Sequence, residues 1–217
     1  MLVPLRCLAL LVGILLLGAC SSKPKSTRAT FPTSRAAAEQ GLKTLKTLAD
    51  AADYAKLGFS SVSEVPSAML GPRFTIRDVS VDSLRRFPGL SAPAAPKDMG
   101  EEAYLVEVGG KARVLLFVQR HLGQWSPMRY GGVPVALRLE KAFNDLHQNV
   151  TPRPSQGSLL HIPAFGMYLL EDPPPPAHQV IPLRTIETID AGKTQSLDDV
   201  FRVLKPLAEK LVGQFPE

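Results

Sequence analysis

Between Ser34 and Leu57 apolar positions recur every three to four residues, at Ala38, Leu42, Leu45, Leu48, Ala49, Ala52 and Ala55, which predicts an amphipathic helix. Ser34 is its expected N-cap and Gly58 its C′ residue. The apolar stripe is narrow and rich in alanine, so this helix is expected to lie close against a sheet. Ser61 and Glu64 have capping-box spacing and predict a short helix ending near Leu70 and Gly71, with Pro66 in its first turns. From Arg73 to Val81 the period falls to two, at Phe74 and Ile76, then shifts phase to Val79 and Val81, the mark of a bulged strand. Asp82 is expected to cap one helical turn to Phe87, and the Pro- and Ala-rich run from Pro88 to Gly100 reads as a loop.

The strongest alternation follows. Tyr104, Val106 and Val108 lead into Gly109-Gly110, and Ala112, Val114, Leu116 and Val118 follow it, which predicts a hairpin. Leu115 and Phe117 make the second strand apolar on its other face too, as expected of a central strand covered on both sides. A turn at His121 to Gly123 then feeds Gln124 to Tyr130, completing a three-stranded meander. A helix near 133–148 carries Ala136, Leu139, Phe143 and Leu146 on one side. Ser158 to Leu170, broken by Pro163, and Gln179 to Ile186, containing Pro182, predict bent or edge strands on either side of an extended Pro173 to Pro176. The last helix, near 197–212, is expected to start at a Ser196 cap with Asp198 and Asp199 at its positive end and to kink at Pro206. The class is α+β: a long N-terminal helix on a mostly antiparallel sheet in a single domain, 34–217, divisible into 34–132 and 133–217.

The N-terminus departs from this pattern. Met1 to Arg6 carries one positive charge, and the leucine-rich run from Cys7 to Leu17 is shorter than the roughly 20 residues that span a bilayer, as in a signal peptide, here 1–19. The junction Leu17-Gly18-Ala19-Cys20 resembles the lipobox of bacterial lipoproteins. That resemblance implies diacylglycerol on the Cys20 sulfur, cleavage after Ala19 and acylation, palmitate included, of the new amino group. Ser21 after the cysteine implies passage to the outer membrane, on its periplasmic side or at the cell surface. Several acyl chains, each buried methylene contributing about 0.8 kcal/mol, hold a protein on a membrane for its lifetime. Residues 20–33, mostly Ser, Thr, Lys and Pro with a lone Phe31, bury too little to order themselves and are expected to form a flexible tether.

Charge and cysteine usage look different once this segment is set apart. The chain has 25 basic and 20 acidic residues, a net charge of +5, but Arg6, Lys23, Lys25 and Arg28 precede Ser34 and no acidic residue does. The body is therefore close to neutral and lacks the basic stripe of a nucleic-acid binder. Only two cysteines exist, Cys7 in the signal segment and Cys20 at the lipobox, which leaves the body without thiol chemistry.

Catalytic signatures are sparse. His121, His147, His161 and His178 lie in unrelated contexts without metal-ligand spacing. Gly192-Lys193-Thr194 ends like a P-loop, but Glu187 occupies the place of its first glycine. No serine sits in a G-x-S-x-G elbow. Trp125, Tyr130 and His161 are the candidates for facing a ligand. From Ser34 to Tyr130, a helix followed by a meander with a Gly-x-Trp turn, the element order resembles the cystatin-like and NTF2-like group, which implies a helix in the concave face of a curved sheet and no particular activity. The expectation is a lipid-anchored, non-catalytic envelope module without a cofactor, which binds another envelope protein, a lipid or an apolar ligand on that concave face. The alternative is a hydrolase of a cell-wall or lipid substrate, in which an acid or a histidine meets a nucleophile or a second carboxylate in one cleft; His161 or His121 within reach of a buried carboxylate and a hydroxyl would favour it.

Overall fold

A computed structural model describes residues 29–49, 53–87, 96–152, 154–171 and 179–211. Cys20, the signal segment, the Pro173 to Pro176 run and His178 lie outside the described residues. The fold is mixed α+β. Eight strands form one sheet in the order β4-β3-β2-β1-β5-β6-β7-β8, antiparallel except where β1 and β5 run parallel. β1 (Met69–Asp78), β2 (Lys97–Val108), β3 (Lys111–His121) and β4 (Gln124–Gly131) form the first half, and α3 (Val133–Leu146) leads across to β5 (Gln156–Ile162). β6 (Met167–Glu171), β7 (Gln179–Pro182) and the two-residue β8 (Gln195–Ser196) follow, with α4 (Leu197–Glu209) last. The 132/133 boundary falls between β4 and α3, and one continuous sheet spans both sides of it. Among the described residues no helix is long and apolar enough to cross a membrane.

Alternation along the strands creates three packed regions. Phe74, Ile76, Ala103, Leu105, Leu115 and Phe117 point to one face, where α3 covers them with Ala136, Leu139 and Phe143. Tyr104, Val106, Val114 and Leu116 point the other way, toward Ala37, Ala38 and Leu45 of α1 (Ser34–Leu48). Leu160, Ile162, Met167 and Leu169 share that second face at the far side of the sheet, under α4 and the short α2 (Val81–Arg85). Gly41 shows how close α1 comes to the sheet: a Cβ there would lie 2.8 Å from Leu116 Cδ1. Between the two covered regions the second face is polar. Arg73 Nη2 donates to Gln156 at 2.7 Å, and Glu171 accepts from both Arg77 Nη2 (2.6 Å) and Ser158 Oγ (2.5 Å).

Several local details differ from the sequence expectations, each for a physical reason. α1 ends at Leu48, and Gly58, with φ 79, caps a separate 3-10 turn, Tyr54–Leu57. Its cap is Thr33, whose Oγ1 accepts from the Ala36 N–H, because Ser34 is buried against the Tyr104 hydroxyl at 2.9 Å. Ser61 and Glu64 do not close a capping box. Glu64 accepts from the Ser60 N–H and from Arg113 Nη2 at 2.8 Å, and the 3-10 turn Val62–Ser67 gives way to β1 at Met69, so Leu70 and Gly71 are strand residues. Ser80, not Asp82, caps α2 through its Ser83 N–H, and Asp82 pairs with Arg85. Lys97 to Gly100 belong to β2, while 88–95 lie outside the described residues. The Gln179 strand stops at Pro182, which has no N–H to extend the ladder. Ser196 stands at the N-cap of α4 without a side-chain capping bond, and the helix continues through Pro206 to Glu209.

Candidate functional site

The face covered by α3 becomes polar toward the end of the sheet where β1 and β5 finish. Asp78 stands in phase with Phe74 and Ile76 on β1, Glu101 in phase with Ala103 on β2, and His161 in phase with Leu159 on β5. The strand period alone puts these three ionisable groups on an otherwise apolar face. Asp78 is the direct β1 partner of His161, and its Oδ1 lies 3.1 Å from His161 Nδ1. His161 in turn pairs with Tyr168 on β6, and their rings stack with centroids 4.3 Å apart and planes 14° from parallel. Stacking and the carboxylate together fix the imidazole plane.

Tyr168 extends the cluster to the other side of the sheet. Arg129 Nη2 of β4 donates to its hydroxyl at 3.4 Å. Four strands separate β4 from β6, about 24 Å of sheet at 4.8 Å per strand, further than the two side chains reach across a flat surface. The sheet therefore curls, with this face concave and α3 lying in it. Arg129 also donates to Glu101 Oε1 at 2.8 Å and sits 3.6 Å above the centre of the Phe117 ring. Burial works against the guanidinium charge, but Tyr168 and Glu101 more than offset it, so the Arg129 pKa moves up. Burial pushes the Tyr168 hydroxyl up in turn, against the lowering by Arg129. The result is a continuous row, Phe117, Arg129, Glu101, Tyr168, His161 and Asp78, in which a fixed cation, two carboxylates and an oriented imidazole share one rim. Glu101 and His161 are largely covered, at 13% and 18% side-chain exposure, whereas Arg129 at 44% offers part of its fork to solvent.

Beside Asp78 opens a pocket of about 360 Å³ lined by Val79, Ser80, Ser83, Lys97, Met99 and Pro163 as well. Its two serines are already engaged: Ser80 Oγ accepts from the Ser83 N–H and donates to Ser83 Oγ at 2.9 Å. Among the described residues no serine or threonine hydroxyl bonds His161, and no group of three or more His, Cys, Asp or Glu side chains could hold a metal ion. A histidine with its orienting carboxylate is present, and among the described residues no serine or threonine hydroxyl joins it.

The three ligand-facing candidates do not converge. His161 belongs to the concave row, but Trp125 and Tyr130 lie on the opposite face, under the α1 side of the sheet. The Tyr130 hydroxyl donates to the Gly41 carbonyl at 2.8 Å and ties β4 to α1. Trp125 lies 5.6 Å from the Arg120 guanidinium and borders a cavity of about 60 Å³ with Thr75, Asp98 and Glu102. Its backbone exchanges two hydrogen bonds with Phe31, at 2.7 and 2.8 Å. Nor is the concave face an open apolar surface, because α3 fills its apolar part. Arg129 and Asp78 belong to no motif the sequence presents, and Glu101 reads there as one of an adjacent acidic pair with Glu102, explained by loop solvation. The available signal was a charged residue in phase with core positions, as Asp78 is with Phe74 and Ile76. Compared with family models, curated proteins and solved structures, the chain matches none, so its function has to be argued from this geometry.

Proposed function

We propose that the chain is a lipid-anchored protein of the bacterial cell envelope, held at the outer membrane through Cys20, and that its body is a non-catalytic binding module. α1, the helix that the resemblance to the cystatin-like and NTF2-like group places in the concave face, packs on the opposite face, and α3 lies in the concave one, so the reading rests on the rim itself. The observation that carries this reading is the Arg129 to Asp78 row: side chains from five strands are joined by hydrogen bonds and a ring stack, and close to half of the Arg129 side chain stays exposed. A preorganised row of donors and acceptors suits a polar segment of another envelope protein better than an apolar ligand, because hydrocarbon would take the exposed part of the Arg129 fork out of water without offering it an acceptor.

A photo-cross-linking residue at Arg129 in intact cells should give a discrete adduct that a probe at the exposed Lys141 on α3 does not. The same adducts at both positions refute a partner at the rim. Cys20→Ser should lose lipid and leave the membrane fraction; a variant that stays membrane-bound refutes the anchor.

A second reading, a hydrolase, is favoured by the His161 to Asp78 pair alone. It requires His161 to act as base on a water molecule, since no hydroxyl nucleophile joins it among the described residues. In that case His161→Ala would abolish turnover of a cell-wall or lipid ester without loss of fold.

A further inference from the structure

The hairpin that receives the tether presents a leucine that the folding of the body does not account for. We propose that the tip of the β3–β4 hairpin is a membrane-contacting site, with Leu122 seated between headgroups and acyl chains of the bilayer that holds the anchor. This rests on the lipid at Cys20 proposed above.

Leu122 is 90% exposed, beyond any other large apolar side chain among the described residues. It occupies the first central position of a two-residue turn, with φ 48 followed by φ 78 at Gly123. A turn of this kind demands left-handed backbone at both positions and is usually built from Asn, Asp or Gly. A leucine there is both strained and bare, and strain of this sort persists where the side chain is used.

Two further observations name the surface it meets. The Phe31 to Trp125 hydrogen bonds fasten the end of the tether to this same hairpin, three residues from Leu122. From Phe31 back to Cys20 the chain covers at most about 40 Å fully extended. The chain that leads from Cys20 thus joins the body beside this tip. Its flanks are suited to anionic headgroups: Arg120 and His121 are exposed, and Asp98 approaches Arg120 only to 3.8 Å. Met69, 58% exposed, lies at the opposite end of the sheet, about 30 Å away along β1.

A single introduced thiol is the only site for a label once Cys20 carries lipid. Gln124→Cys and Met69→Cys proteins, full length and lipidated, are labelled with a polarity-sensitive fluorophore. They are reconstituted in phosphatidylethanolamine and phosphatidylglycerol vesicles containing spin-labelled lipid. The Gln124→Cys label should shift to the blue and be quenched by the lipid, and the Met69→Cys label should do neither. Adding Leu122→Asp to Gln124→Cys should cancel both effects while the label at position 69 stays unchanged. Equal water exposure at the two positions, or a drier position 69, overturns the contact. The mass of Cys20 is measured on the same samples. A lipidated Cys20 with a water-exposed tip refutes the contact and leaves the anchor standing, and an unmodified Cys20 overturns both.

Discussion

Replacing Leu122 by asparagine should make the protein more stable. The perturbation is confined to one turn: φ at Leu122 is 48, and the side chain is 90% exposed. A left-handed conformation costs an ordinary L-residue about 1–2 kcal/mol, a penalty that asparagine largely escapes because its short amide bonds locally. What asparagine gives up is small, since a side chain nine-tenths in water retains only a sliver of the roughly 1.5–3 kcal/mol that full burial of a leucine provides. The net gain should be about 0.5–1 kcal/mol, or a rise of about 1–4 °C in Tm for a chain of this length. Urea denaturation followed by far-UV circular dichroism measures it, with the gain visible as a higher midpoint at unchanged slope. An unchanged or lower midpoint would refute the reasoning, because it would mean that Leu122 makes contacts worth as much as the strain. The same variant should lose the membrane contact of the tip. A substitution that improves folding and removes an interaction is the signature of strain retained for use.

Gly157→Ala should destabilise by about 1–3 kcal/mol, because its Cβ would lie 2.8 Å from Phe74 Cε1 and 3.2 Å from Phe143 Cε2 inside an edge-on ring pair with nowhere to move. Calorimetry of Gly157→Ala combined with Phe143→Leu should show less than the summed loss, and strict additivity would disprove the clash. Burial raises the pKa of Tyr104, Tyr130 and Tyr168. The unfolded chain then gives up these protons first, near pH 10, so their contribution to stability is complete below that pH and falls as pH climbs through the folded values. Tyrosinate absorbance should therefore rise at higher pH in the native protein than in urea; superimposed titrations would contradict the burial of these hydroxyls.

Much of the sheet was legible because its signal is periodic. Tyr104, Val106, Val108, Ala112, Val114, Leu116 and Val118 keep a period of two on both sides of Gly109-Gly110, and α3 repeats at helical spacing from Ala136 to Phe143. The parallel pairing of β1 with β5 was not legible. Arg73, Thr75 and Arg77 alternate with Phe74 and Ile76 just as they would on a water-facing strand, and nothing local says that Gln156 and Glu171 wait across the sheet to meet them. Caps slipped by one or two residues where a serine had a better partner, as Ser34 did in Tyr104. The concave row was hidden for a related reason. Arg129 and Tyr168 are separated by 39 residues and four strands, and only the curl of the sheet makes them neighbours.

The parallel junction also sets a timetable. β1 to β4 can assemble from nearby turns, but the second edge of β1 has no partner until β5 is available, and Arg73 meets Gln156 across 83 residues. Contacts of such separation form late. In the interval β1 offers an unpaired ladder with Phe74 and Ile76 alongside, an arrangement that recruits foreign strands. The element that covers those two side chains is α3, through Phe143, which meets Phe74 edge-on at 5.1 Å. α3 precedes β5 in the chain, so the apolar face of β1 has its cover encoded ahead of the strand that closes its edge.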